Sequence, residues 1–93
     1  MIDHPLSFSQ TRVARHALGL VDGCKHSYRN YFVTGPGSPD YEDWLAMTAA
    51  GYAKRFKSEL FGGDDLFRLT RAGAEAALFP GETLDEKEFP DGL

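Results

Sequence analysis

Residues 52–70 carry two runs of alternating side chains joined by a glycine-rich link. The first run sets Tyr52, Phe56 and Leu60 on one side of an extended chain, against Arg55, Lys57 and Glu59 on the other. The second run, at residues 66–70, would place Phe67 and Leu69 inward. A period of two is typical of a half-buried strand, and the glycines at residues 61–65 permit the positive φ angles of a tight link. The pattern predicts an antiparallel β-hairpin.

A first helix is predicted at about residues 8 to 20. Ser7 and Gln10 have the spacing of a capping box, in which each side chain bonds the other residue's backbone N–H. Asp22-Gly23 is expected to end the helix, because glycine adopts the left-handed conformation of common C-caps. The apolar stripe expected to face the core consists of Val13, Ala14, Ala17, Leu18 and Val21.

A second helix is predicted to begin at Ser38, with Pro39 at its first helical position. Gly51 is expected to end it, and Trp44 is its expected anchor in the core. A third, short helix is predicted at residues 71–79, after the hairpin.

Residues 24–37 differ in kind, because strand-forming aromatic residues precede turn-forming ones. They predict a short strand at about 30 to 33, followed by a loop. A chain of 93 residues can form one small domain with a modest core. The predicted architecture is therefore a single α+β domain at residues 1–79, with three helices and a small antiparallel sheet made of the hairpin and the short strand.

The negative charge is confined to the end of the sequence. Residues 1–79 hold nine acidic and nine basic residues, whereas residues 80–93 hold five acidic residues and Lys87, which gives the net charge of −4. This composition predicts a flexible acidic C-terminal tail, in which Phe89 and Leu93 are the only residues expected to dock. No apolar run approaches the roughly 20 residues that cross a bilayer. With a single cysteine, Cys24, the sequence favours a cytoplasmic protein without membrane partners.

The stretch AAGYAKRFKSELFGGDDLFRLTRAGAEAAL, residues 49–78, resembles the wing of bacterial winged-helix regulators. In that family a helix ends in Ala-Gly, here Ala50-Gly51, and a Leu-Thr-x-x-Gly segment opens the next helix, here Leu69, Thr70 and Gly73. The chain also resembles small, largely uncharacterised phage and prophage proteins that share the progression HALGL, YRNYF, GGDDLFRLTRAG. These resemblances imply a winged-helix fold and a phage-encoded protein in the host cytoplasm.

Duplex DNA is the partner that a winged-helix regulator would bind. The basic side chains available to such a wing are Lys54, Arg55, Lys57, Arg68 and Arg71. However, only one helix fits between the first helix and the hairpin, where DNA-binding members have a positioning and a recognition helix. That helix begins with Asp40, Glu42 and Asp43, which oppose phosphate binding. A homodimer would be one way to complete a recognition surface.

Residues 28–32 interleave aromatic side chains with Arg29. Tyr28, Arg29 and Tyr31 are candidates for a partner surface, because Tyr and Arg dominate interface hot spots, although aromatic side chains can also stack on nucleic-acid bases. The alternative is structural: Tyr31 or Phe32 in the core, and Arg29 bonded to loop carbonyls. Asp64 and Asp65, at the expected hairpin tip, are candidates for contact with a basic partner.

Enzymatic chemistry has little support in the sequence. Gly63-Asp64-Asp65 resembles the metal-binding hairpin of a viral polymerase palm, but that chemistry needs further carboxylates, and a hairpin turn accounts for the motif. Structural zinc needs four ligands with paired spacings, and Cys24 is the only cysteine. We therefore expect no catalytic residues, no metal and no cofactor.

The leading hypothesis is a non-enzymatic phage-type protein that binds a host or phage protein. Inhibition of a host defence complex, as anti-CRISPR proteins do, is one form of this role that the phage resemblance implies. The alternative is a winged-helix DNA-binding transcriptional regulator.

Overall fold

The computed structural model of the chain describes residues 5–57 and 62–89. Within these residues, three helices and one antiparallel sheet make up an α+β fold, as the sequence predicts. The helices and strands, in chain order, are α1 (Phe8–Leu18), β1 (Phe32–Thr34), α2 (Pro39–Ala49), β2 (Ala53–Lys57), β3 (Asp65–Leu69) and α3 (Arg71–Ala77). Strand β3 lies in the middle of the sheet, between β1 and β2.

Helix α1 begins as predicted but ends earlier. Ser7 and Gln10 form both bonds of the capping box. The helix ends at Gly19, whose φ is 83°, so the prediction that Asp22-Gly23 ends it is wrong. After Gly19 the chain turns back, and Leu20 is buried in the core. Asp22 and Gly23 form a separate turn, both with positive φ.

Trp44 of α2 is the centre of the core, as predicted. Its side chain is fully buried and packs against two phenylalanine rings, with centroid distances of 5.3 Å to Phe32 and 5.5 Å to Phe67. These rings come from β1 and β3, so the stack joins α2 to two strands of the sheet. Large aromatic groups contribute much of the burial in a core of this size.

The register of the sheet fixes which side chains share a face. Phe32 and Arg55 both pair with Phe67, which is fully buried. Arg55 therefore lies on the inner face of β2, and Phe56 lies on the outer face with 44% of its surface exposed. The expectation that the side of β2 holding Phe56 is the buried side is wrong, because a charge-neutralised Arg55 takes the inner position.

Helix α3 begins at Arg71, after Thr70 caps it by accepting a hydrogen bond from the Gly73 N–H. It ends at Ala77, two residues before the predicted end. Gly73 is buried, and a β-carbon at this position would overlap the backbone carbonyl of Tyr52. The absence of a side chain at Gly73 therefore lets α3 pack directly on the chain that enters β2.

The segment between α1 and α2 contains no helix after Gly19, as predicted. It is fixed to the sheet by Asn30, which is buried and whose side-chain amide bonds both the N–H and the carbonyl of Leu69 at 2.9 and 3.0 Å. The amide thereby takes the place of a neighbouring strand at this position. This contact extends the pairing of β1 with β3 by side-chain bonds.

Residues 81–89 lie against the helices, unlike the prediction of a tail in which only Phe89 and Leu93 dock. Thr83 exchanges backbone hydrogen bonds with Lys25 and Ser27. Glu82 forms a two-pronged ion pair with Arg15 of α1, at 2.5 and 2.6 Å. Phe89 is buried, as expected. Leu93 lies outside the described residues.

Candidate protein-interaction surface

Tyr28, Arg29 and Tyr31 form one exposed cluster, called here the tyrosine surface. Tyr28 is 59% exposed and Tyr31 is 50% exposed. The guanidinium carbon of Arg29 lies 5.4 Å from the centroid of the Tyr28 ring and 5.8 Å from that of Tyr31. Both distances are within the range of cation–π attraction. The three predicted candidates are therefore brought together, and neither tyrosine belongs to the core.

The end of α1 holds the tyrosine surface in place. Arg29 donates two hydrogen bonds, of 3.2 and 2.7 Å, to the carbonyl of His16. The backbone N–H groups of Tyr28 and Tyr31 donate to carbonyls of Leu18 and Ala17. The last carbonyls of a helix lack partners within it and carry its negative dipole end. Residues 28–31 supply both the donors and the positive charge for that end. The half-buried Arg29 therefore has the structural role expected for it and also lies between the two exposed tyrosines.

The Tyr28 ring is also packed against the helix end. A β-carbon at Gly19 would overlap the ring of Tyr28. The ring therefore lies in direct contact with the turn that ends α1, while 59% of the residue's surface remains exposed. This packing restricts the side chain without burying it.

The outer face of the sheet adjoins this cluster and is called here the outer sheet face. Val33, Leu66 and Phe56 pair across the three strands in one row. Val33 is 38% exposed, and Leu66 is half-buried. Val33 also lines a small recess together with Tyr31 and Arg29. The tyrosine surface thus continues onto an apolar row that crosses the whole sheet.

A cross-strand pair of cations lies beside the apolar row. Lys54 and Arg68 are paired across β2 and β3 on the outer sheet face. Both are exposed, and Glu88 approaches Arg68 only at 4.0 Å. These residues and Phe56 line an open groove of about 570 Å³. The groove combines apolar surface with positive charge.

Asp64 and Asp65, by contrast, do not form an acidic tip. Asp65 is the first residue of β3 and is buried, with 4% of its surface exposed. The side chain of Asp64 is half-buried against Gly35, where a β-carbon would overlap it. The prediction that both contact a partner is wrong for Asp65, because its carboxylate is used inside the fold.

Asp65 is the buried acceptor of a polar network that includes the buried Tyr41 and the partly exposed Arg55. Tyr41 donates to its Oδ2 at 2.9 Å, and Arg55 donates to the same oxygen at 2.6 Å. Burial alone would raise the pKa of Asp65, but these hydrogen bonds outweigh burial and hold the pKa below its ordinary value of 3.8. The bond to Asp65, aided by burial, raises the pKa of Tyr41. The motif that resembles a polymerase palm is therefore part of a charge-neutralised structural network.

The five cations proposed for DNA do not share one surface. Lys54 and Arg68 are on the outer sheet face, whereas Arg55 and Lys57 are on the opposite face of β2. Arg55 is bound to Asp65. Arg71 donates to Glu75 at 3.0 Å and to the carbonyl of Phe89 at 2.7 Å. The arrangement lacks the continuous basic stripe that tracks a phosphate backbone.

A second apolar groove, of about 480 Å³, lies at the start of α1. Phe8 is 89% exposed, and Phe79 is half-exposed beneath the guanidinium of Arg15, 3.6 Å from the ring centroid. Sequence reasoning missed this groove. The available signal was the position of Phe8, which is outside the apolar stripe of α1.

Within residues 5–57 and 62–89, no three His, Cys, Asp or Glu side chains come together as a metal site would require. No helix in the same residues is both long and apolar enough to cross a membrane. Comparisons of the chain with models of protein families, with curated proteins and with solved structures found no match.

Proposed function

We propose that this chain is a non-enzymatic interaction protein that binds a protein partner through the tyrosine surface and the adjoining outer sheet face. One observation carries the proposal: two half-exposed tyrosines flank an arginine that is fixed to the end of α1. Such an arrangement presents large contact groups that are already ordered before a partner arrives.

The energetic argument rests on this order. Immobilising a flexible side chain at an interface costs about 0.5–1.5 kcal/mol. Tyrosine supplies a large contact area with few rotatable bonds, and Arg29 is held by two hydrogen bonds to one carbonyl. Most of the ordering cost at these positions is met by folding, which leaves more of the contact energy for binding.

The apolar row adds exposed apolar surface, whose removal from water on binding would be favourable. Val33 and Phe56 are both more than a third exposed, and Leu66 joins them across β3. Contiguous exposed apolar groups rimmed by polar residues mark interaction sites on soluble proteins. The row and the tyrosine surface together offer an interface of mixed aromatic, aliphatic and basic character, which is typical of protein contacts.

Binding to a host or phage protein, including inhibition of a host defence complex, is one form of this function. The support for that form is the sequence resemblance to small phage proteins. A transcriptional regulator is a weaker proposal, because the basic residues of β2 and β3 lie on opposite faces of the sheet. In addition, Arg55 is bound to Asp65, and Arg71 of α3 is bound to Glu75.

Capture experiments with matched variants test the proposal. Wild type and variants would be immobilised and exposed to bacterial lysates, and captured proteins would be quantified by mass spectrometry. We expect at least one protein that wild type captures to be lost with Tyr28→Ala, with Arg29→Ala and with Gly19→Ala. Gly23→Ala is the control, because Gly23 has a similar positive φ but empty space around its β-carbon position. Equal capture of every protein by wild type and all variants would contradict the proposal.

A further inference from the structure

Lys54 and Arg68 are a like-charge pair at directly opposite positions of an antiparallel ladder. Such pairs destabilise a sheet. In the described residues, the acid that approaches them is Glu88, which reaches Arg68 at 4.0 Å and is itself about one third exposed. A contact of this length between exposed groups contributes little. The outer sheet face therefore carries positive charge that the fold leaves largely unbalanced.

This positive charge stands out in a chain whose net charge is −4. The inner face of the same two strands carries a charged pair of a different kind at the end of the ladder. There Lys57 pairs with Asp65, so opposite charges meet across the ladder. The inner face of β2 and β3 thus pairs a cation with an anion, whereas the outer sheet face places two cations side by side.

The cations border an apolar surface. Phe56 is exposed beside them and shares their groove. Its cross-strand neighbour Leu66 pairs in turn with Val33, which adjoins the tyrosine surface. A ligand that matches this face needs carboxylate or other anionic groups at one side and an apolar group at the other.

We infer that the outer sheet face binds an acidic protein segment that also carries an apolar or aromatic side chain. Carboxylates of the segment pair with Lys54 and Arg68, and the apolar side chain covers Phe56 and Leu66. This inference rests on the proposed function, and it names the chemistry of the partner at that site.

Charge and shape favour a protein segment over single-stranded nucleic acid. A nucleic-acid strand brings a phosphate at every nucleotide, so a phosphate would come close to Glu88, which lines the groove. A peptide can place its carboxylates at Lys54 and Arg68 and an uncharged residue opposite Glu88. Single-strand binders also stack successive bases on aromatic side chains. In the row on the outer sheet face, Leu66 lies at the centre and Val33 at the β1 end, and neither side chain offers a stacking face.

Selection from a displayed library of short random peptides tests the inference. The baits would be wild type and the charge-reversed variant Lys54→Glu/Arg68→Glu. Wild type is expected to select peptides that are net acidic and contain an apolar or aromatic residue. The charge-reversed variant is expected to lose about tenfold or more in affinity for those peptides and to select basic peptides instead.

A control variant reverses two charges elsewhere. Arg12 and Lys25 are exposed and lie outside the outer sheet face, so Arg12→Glu/Lys25→Glu should bind the selected peptides as wild type does. Circular dichroism and thermal melting would verify that each variant is folded. A labelled oligothymidylate would be measured in parallel, at low and at moderate salt.

Peptides without acidic excess, or equal affinity of wild type and the charge-reversed variant, would overturn the inference. Tighter binding of oligothymidylate than of the peptides, lost in the charge-reversed variant, would assign the site to nucleic acid and overturn it too. The lysate experiment separates these failures from failure of the proposed function, because it depends on the tyrosine surface and not on the charge of the selected peptides.

Discussion

The ring of Tyr28 lies so close to Gly19 that a β-carbon at residue 19 would overlap it. This contact joins the turn that ends α1 to the tyrosine surface. Gly19 thus serves two purposes: it adopts the left-handed conformation that ends the helix, with φ of 83°, and it leaves room for the ring.

Gly19→Ala should therefore be more destabilising than Gly23→Ala. Both substitutions place a β-carbon at a positive φ, which costs roughly 1–2 kcal/mol. Only Gly19→Ala also forces Tyr28 to move, which adds about 1–3 kcal/mol as overpacking does elsewhere. Urea unfolding of the two variants measures the difference in the free energy of unfolding. Equal values would mean that the Tyr28 ring can move away from residue 19 at no cost in stability.

Gly73→Ala should destabilise the protein although alanine is the better helix former. The gain in helix propensity is about 1 kcal/mol, but the new methyl group would overlap the carbonyl of Tyr52. We expect a net loss of about 1–3 kcal/mol in the free energy of unfolding. Ala72→Gly, at an exposed position of α3, measures propensity alone in the same helix. A stabilised Gly73→Ala variant would show that α3 does not pack on Tyr52.

Acid should weaken the fold through Asp65 and Glu82. Hydrogen bonds from Arg15 lower the pKa of Glu82 below its ordinary value of 4.5, and the pKa of Asp65 is lowered as well. A carboxyl group with a lowered pKa in the folded state contributes stability above its unfolded pKa, and this contribution is lost as the pH falls through the folded pKa. The free energy of unfolding should thus decline below a pH of about 4.5.

Asp65→Asn and Glu82→Gln test the source of that decline. Each variant should be less stable than wild type at neutral pH and should lose less stability on acidification. Urea unfolding at a series of pH values measures both effects. Glu86→Gln, which changes an exposed carboxylate, is the control. An acid dependence identical to that of wild type in both variants would place the titrating groups elsewhere.

Phe56 and Phe67 should differ sharply in their contribution to stability. Phe67 is fully buried in the stack with Trp44, and Phe56 is 44% exposed. Phe67→Ala should cost about 3–5 kcal/mol, and Phe56→Ala about 1 kcal/mol or less. Denaturant titration followed by the fluorescence of Trp44 measures both, and a large loss in Phe56→Ala would reverse the assignment of the two faces of β2.

The elements of the fold could be predicted because their signals are local. The capping box at Ser7 and Gln10, the start of α2 at Ser38 and Pro39, and the inward positions in β3 each depend on residues a few places apart. Hydrophobic period and capping chemistry suffice for such features.

The errors concern contacts between residues that are distant in the chain. The alternation of side chains predicts that β2 has two faces but does not say which face is buried. The buried face is the one that holds Arg55, because Arg55 bonds Asp65 and Tyr41 there. Composition predicts a solvated acidic tail, yet Glu82 pairs with Arg15 of α1. Two glycines could end α1, and Gly19 does so because Leu20 and Tyr28 pack beside it.

The candidate site could be predicted in part. Tyr28 and Tyr31 are exposed, as contact with a partner requires, whereas the alternative that placed Tyr31 in the core is wrong. Contact with a partner stays a prediction. The apolar row was missed, since Val33, Leu66 and Phe56 meet only through the strand register. Asp65 was misplaced because its partner Tyr41 lies 24 residues away in the sequence.

The bonds from residues 28–31 to the last carbonyls of α1 make one cooperative unit of the helix end and the proposed contact surface. Unfolding of the last turn of α1 would break these bonds and disorder the surface. A protein bound to the surface would therefore stabilise the folded turn. Binding of a protein at residues 28–31 would then be detected in α1 itself, as slower amide hydrogen exchange, and as a higher melting temperature of the domain.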